Sequence, residues 1–198
     1  MAIALTSLPA ADEPITLAEA KAHLRIDAAD TAEDSAITGF IQAAREYCET
    51  YQQRQYLTAA RVHQLDRFPM STRGESRIVL LPYPPLLAIT SIVYVDSAGA
   101  TQTLASGNYL VDAVSQPGRI APSYSNYWPS TRQQIGAVTI TYTCGYGGAA
   151  DVPQRVKQAM LLGVGSMWEN REAGAFMDDN AMAAIHALLG PDRVILEM

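Results

Sequence analysis

Residue types that ordinarily carry chemistry are few and scattered in this chain. Three histidines, His23, His63 and His186, fall on three different predicted elements. A metal site or a nucleophile–base pair needs such side chains at ligand spacing or converging in space, and no local pattern supplies either. Each is read as a surface or structurally satisfied imidazole. Cys48 lies on a predicted helix and Cys144 at a predicted strand end, with no CxxC or Cys/His cluster nearby. Both are expected to be reduced and partly buried, behaving as small hydrophobes. Gly145-Tyr146-Gly147-Gly148 has the glycines of a phosphate loop without the Lys-Ser/Thr that would hold phosphate and metal, so it reads as an exit from a strand. Asp178-Asp179 suits a solvated helix N-terminus better than a cation site. No catalytic, cofactor-binding or metal-ligating residue is assigned, no cofactor is expected, and the chain is not expected to be an enzyme. A small hydrolase whose site forms only in three dimensions is the minor alternative.

The elements must therefore position something other than a reaction. The 198 residues are 48% hydrophobic and 17% charged, a globular composition able to bury a core without disulfides or metals. Lys+Arg number 14 against Asp+Glu 20, a net charge of −6. Such a balance disfavours a protein that wraps nucleic acid, which needs cations to displace counterions from phosphates. It is compatible with DNA passing close by without being gripped. The N-terminus lacks a basic n-region and a long apolar core, and no apolar run approaches the roughly 20 residues that span a bilayer. No membrane role is expected.

Residues 1–14, broken by Pro9 and Pro14, read as an extended or flexible N-terminal arm. Thr16-Leu17-Ala18-Glu19 is a capping box opening a short helix to about Arg25. After the acidic turn Asp27–Asp34, Ile37, Phe40, Ile41, Ala44, Tyr47, Cys48 and Tyr51 recur at spacings of three and four, predicting a long amphipathic helix. From about residue 55 the chain becomes rich in Tyr, Val, Ile, Thr, Pro and Gly. Strands are predicted near Thr58–Phe68, Arg77–Leu81, Ile89–Val95, Tyr109–Asp112 and Ala137–Thr143, with a hairpin turn at Asp96–Gly99. Ser115–Gln134, holding three prolines and Tyr124, Tyr127 and Trp128, reads as an irregular functional loop. Tyr83-Pro84-Pro85 is either a rigid contact ridge or a β-edge turn. Helix returns at Pro153, runs to about Glu172, and recurs over Ala181–Leu189 until Gly190-Pro191 ends it.

The expected fold class is α+β: a helical bundle built from N- and C-terminal helices, with an antiparallel β-rich insertion between them. Its parts are the arm 1–14, a helical base of 15–54 plus 152–189, the insertion 55–148 and a C-terminal tail 190–198.

Two segments carry a resemblance to a known family. ITLAEAKAHLRIDAADTAEDSAITGFIQAAREYCETYQQRQYL (15–57) resembles the short helix, "HLRID…D" turn and long helix of the head–tail connector (adaptor, or head-completion) proteins of tailed phages, prophages and gene transfer agents. DVPQRVKQAMLLGVGSMWENRE (151–172) is similar to that family's Pro-initiated helix closing on a Trp-Glu-x-Arg-Glu cluster. LPYPPLLAITSIVYVDSAG and TYTCGYG resemble the β insertion of its longer members, while residues 173–198 match least. The resemblance implies a structural virion protein of the neck, assembled in the host cytoplasm, forming a ring of about a dozen copies that lines the DNA exit channel. Its implied partners are further copies of itself, the portal protein and a stopper or tail-completion protein, with DNA only as passing cargo. A stopper or tail terminator is the alternative within the same particle. Ring contacts are expected at Tyr47, Tyr51, Arg54, Trp168 and Arg171, because aromatic residues and Arg anchor interfaces. Loop residues Arg73, Tyr124, Tyr127 and Trp128 are expected to meet other neck proteins, and the tail residues Val194, Ile195 and Leu196 to dock on the portal.

Overall fold

The computed structural model describes residues 2–7, 13–69, 77–171 and 178–195. It contains helices and antiparallel sheets, an α+β protein, and divides into two compact units, residues 10–57 with 146–198 and residues 1–9 with 58–145.

The first unit holds four helices: α1 (Leu17–Leu24), α2 (Asp34–Gln52), α3 (Gln154–Glu169) and α4 (Asp179–Leu189). The capping box forms as read: Glu19 N donates to Thr16 Oγ1 at 3.1 Å and Thr16 N to Glu19 Oε2 at 2.6 Å. The Thr16 N–H and the Thr16 hydroxyl, both donating to Glu19 Oε2, hold that carboxyl below its usual range. Arg25, in the left-handed region at φ 59°, stops α1. The acidic turn that follows is pinned by Lys21, whose Nζ reaches Asp30 O at 2.6 Å and the Asp34 carboxylate at 2.5 Å. Ile37, Ile41, Ala44 and Cys48 turn the apolar stripe of α2 inward, where they share one core with Val156, Met160 and Val164 of α3 and Ile185 and Leu189 of α4.

The second unit is built from two antiparallel sheets. One has the order β1-β2-β8-β4-β5, from Ala2–Ser7, Ala59–Leu65, Val138–Cys144, Leu86–Val95 and Thr101–Thr103. The other has the order β3-β7-β6, from Val79–Leu81, Gly118–Pro122 and Tyr109–Asp112. Strand β8 is central, pairing Tyr142 with Arg61 on one side and with Ile89 on the other. Alternate residues Val138, Ile140, Tyr142 and Cys144 are buried, the period-two signature of a sheet with one face in the core. Phe68, Leu81, Leu86, Ile92 and Ile120 complete that core.

Two expectations are corrected. Residues 2–7, read as an arm, pair with β2 from Ala2↔Gln64 to Ser7↔Ala60, because β2 offers an open ladder that an apolar AIALTS segment can join. The supposed loop 115–134 contains β7, the central strand of the smaller sheet. Its Gly118 and Pro122 looked like breakers, yet Pro122 only closes the strand and Gly118 is required by packing. A Cβ at Gly118 would stand 2.5 Å from the Leu86 Cβ. Gly118→Ala is therefore expected to cost about 1–3 kcal/mol, as overpacked cores do, readable as a lower urea midpoint with an unchanged slope. Strand β5 was also missed, being only three polar residues.

Candidate interaction surfaces

The chemically capable side chains do not converge. His23 is exposed on α1, and His186 on α4 accepts or donates one bond with Tyr47 Oη at 2.8 Å and stacks on Tyr51, centroids 4.0 Å apart. His63 is wholly buried in β2, and no described residue bonds either of its ring nitrogens. Cys48 and Cys144 are buried thiols outside any disulfide; burial pushes the Cys48 thiol up to about 12, which keeps it unreactive. Asp178 caps α4 through Ala181 N at 2.8 Å, and that bond with the Ser166 hydroxyl holds its carboxyl below the usual range. Gly148 N donates to Asp151 Oδ2 at 2.9 Å, so the glycine run is closed by a local turn. Among the described residues no group of three or more His, Cys, Asp or Glu side chains could hold a metal ion, and no helix is long and apolar enough to cross a membrane.

The expected ring-contact residues fall into two groups within the helical unit. Tyr47, Tyr51 and Arg54 surround the end of α2. Tyr47 and Tyr51 are half-buried around His186, the Arg193 guanidinium lies over the Tyr51 ring at 4.8 Å, and Arg54 is buried with its Nε donating to Asp192 O at 2.6 Å. Trp168 and Arg171 stand at the end of α3, where the guanidinium covers the indole at 3.8 Å and ion-pairs with Glu33 at 3.0 Å. Beside them a groove of about 400 Å³ runs along α2, formed by Ala36, Gly39, Phe40 and Ala43 with Met167 and Arg171. Sequence reasoning missed this groove, although small residues at 36, 39 and 43 on one helical face were its visible signal.

In the β unit Trp128 is an anchor: it stacks on Phe68 at 4.6 Å and donates Nε1–H to Arg77 O at 2.7 Å. Tyr124 is 96% exposed and Tyr127 72% exposed, the latter under the Arg77 guanidinium at 4.3 Å. Arg73 lies outside the described residues, as does Leu196. Of the other tail residues Val194 is buried, its N–H on Gln52 O at 3.0 Å, and Ile195 is exposed. Tyr83, in the left-handed region at φ 59°, turns the chain from β3 into β4 beneath the Arg61 guanidinium at 3.6 Å.

The fold is shared with chains of solved gene transfer agent particles. The chain is similar over 100% of its length, and 98% of the other chain, to a chain in the neck of an empty gene transfer agent particle computed with C6 symmetry, at TM-score 0.77 and 21% identity. It is similar over the same shares to a chain in the virion of a native gene transfer agent particle (0.76, 22%) and to one in the neck of the native particle computed with C12 symmetry (0.68, 23%). Residues 14–73 match the model of the phage gp6-like head-tail connector family. That segment contains α1, the pinned acidic turn and α2, the first of the two segments that carry the sequence resemblance. No curated protein matches the chain. The family model is of a head-tail connector protein, and the solved chains belong to the neck or virion of gene transfer agent particles.

Proposed function

We propose that the chain is a head–tail connector subunit, a structural neck protein that forms a ring between the portal and the stopper or tail and lines the DNA exit channel. The observation that carries this is the joint match: a connector family model over 14–73 and a whole-chain fold shared with gene transfer agent necks. A net charge of −6 suits a channel wall that lets DNA slide, since each unpaired cation would add phosphate affinity. About a dozen copies agrees with the C12 symmetry of one of those necks. The helical unit is the base of the ring, built from N- and C-terminal helices, and the β unit reaches the neighbouring neck proteins through Tyr124 and Tyr127. Val194, Ile195 and Leu196 are the portal-docking tail, with the buried Val194 anchoring it to Gln52 and the exposed Ile195 offered to the portal. A density map of the particle tests this: a ring of this fold between portal and stopper is expected, and its placement in the tail tube or capsid shell would refute it.

Ring contacts are proposed at the α2–α3 groove with Trp168 and Arg171, together with the half-exposed Tyr47 and Tyr51 at the end of α2, where Arg54 is buried on the Asp192 carbonyl and serves as a support. Arg171→Glu gives up the exposed ion pair with Glu33 and the contact over Trp168, so it is expected to lower the thermal midpoint by only about 2–4 °C while sharply reducing incorporation into particles. Normal incorporation, counted by quantitative mass spectrometry of purified particles, would remove Arg171 from the contact.

A further inference from the structure

Among the described residues neither outer edge of the smaller sheet is paired, and the backbone geometry of the two edges is complementary. Ser123 N donates to Asn108 O at 3.0 Å, which sets the alternation between β7 and β6. Leu110/Ala121 and Asp112/Arg119 are then the mutually bonded pairs, and Tyr109 and Val111 turn their N–H and C=O groups to the open side of β6. Across β7 the bonded pairs become Val79/Ile120 and Leu81/Gly118, so Leu80 turns its N–H and C=O to the open side of β3. Among the described residues no strand pairs with either outer edge.

Strands β3 and β6 are each antiparallel to β7 and so run parallel to one another. A neighbouring copy that continues the sheet therefore places its β3 parallel to the β6 it meets. A parallel ladder bonds one residue to the two that flank its opposite number. With Leu80 set opposite Leu110, the Leu80 N–H meets the Tyr109 carbonyl and the Leu80 carbonyl meets the Val111 N–H. Those are the outward groups. Leu80 and Leu110 also share a sheet face with Arg119 and Ala121, and both are exposed, at 42% and 61%. The new pairing would lay one leucine against the other. Strand β5, the edge of the larger sheet, shows the contrast: Thr101-Gln102-Thr103 is exposed and polar, the usual way of blunting an edge.

We infer that β6 of one copy and β3 of the next pair in parallel, joining the small sheets of adjacent copies head to tail with Leu110 packed on Leu80. This rests on the reading of the chain as a ring subunit, and it names a contact in the β unit besides those proposed for the helices. A head-to-tail contact uses two different surfaces of each copy, as a closed ring requires.

The test is a Leu80→Cys, Leu110→Cys double variant of the full chain, oxidised at concentrations where light scattering reports an oligomer of the unmodified chain. Within one copy the two positions are separated by β7, roughly 10 Å apart, beyond the about 7 Å that a disulfide spans between Cα atoms. Native Cys48 and Cys144 are buried and do not compete. A covalent ladder of trimers and larger species is expected from the double variant, with nothing beyond dimers from either single variant. No ladder overturns the contact. If light scattering still shows a ring, the connector reading survives that loss; if the chain forms no oligomer at any concentration and no ladder, both fail together.

Discussion

Lowering the pH through 6.5 toward 4 is expected to remove stability on the order of 3 kcal/mol from the β unit through His63 alone. The imidazole is wholly buried on β2, and no described residue bonds either nitrogen, so its charged form has no compensating partner there. Burial lowers its pKa from 6.5 to about 4. Below 6.5 the unfolded chain takes up a proton that the folded chain refuses, so stability rises with pH across this window. The contribution is complete above 6.5 and is lost as pH falls to about 4, where the folded form protonates as well. His63→Leu should raise stability at neutral pH by removing two buried polar atoms that no described residue bonds, and should flatten the pH slope between those limits. Urea midpoints from pH 4.5 to 7.5 on parent and variant decide it; equal slopes would show that His63 is solvated or partnered in solution. Carboxylates that accept several bonds, such as Asp96 and Asp112, are held below their ordinary range and act at lower pH, so the difference between the two proteins isolates the histidine.

The helical unit was the more legible because its signals are local. Thr16 and Glu19 announce a helix start three residues apart, and the spacing of Ile37, Ile41, Ala44 and Cys48 writes the buried face of α2 directly into the chain. The β unit depends on partners far away in sequence. Strand β1 exists because β2 presents an open edge some sixty residues later, and β7 because β3 and β6 lie on either side of it. Gly118 and Pro122 carry a turn signature that only the approach of Leu86 reinterprets. The same limit applied to the surfaces. Tyr47, Tyr51, Arg54 and Trp128 were chosen as contact residues by type, yet each is engaged within its own unit: with His186, with the Asp192 carbonyl or with Phe68. Residue type marks an anchor, and burial tells whether its partner is internal. The leucines at 80 and 110 drew no notice in the sequence because an isolated apolar residue in a strand is ordinary; their shared face and outward backbone appear only with the register.

Glu49→Ala should be strongly destabilising in the helical unit, costing about 3–5 kcal/mol. Glu49 sits in the last turn of α2, 7% exposed, and its two oxygens do separate jobs. Oε2 accepts from Arg45 Nη1 at 3.1 Å, and Arg45, itself buried, also reaches Glu13 Oε2 at 2.8 Å. Oε1 accepts from Tyr56 N at 2.8 Å and Gln55 Nε2 at 3.0 Å, satisfying donors in the segment that leaves the helix after left-handed Gln53. That segment is the hinge of the packing: Tyr56 Oη bonds Gln52 Oε1 at 2.8 Å, Gln52 Nε2 bonds Leu189 O at 2.7 Å, and Tyr146 N bonds Tyr56 O at 3.0 Å. Alanine would leave the buried Tyr56 N–H without this acceptor and the Arg45 charge with less compensation, in surroundings where neither is cheaply rehydrated. Glu49→Gln separates the two contributions. It keeps an acceptor for Tyr56 N while removing the charge, so it should fall between parent and alanine variant in urea unfolding. Equal losses for Gln and Ala would assign the whole effect to the ion pair, and a loss below about 1 kcal/mol for Ala would mean that solvent replaces Glu49 and that the end of α2 is not the closed junction described.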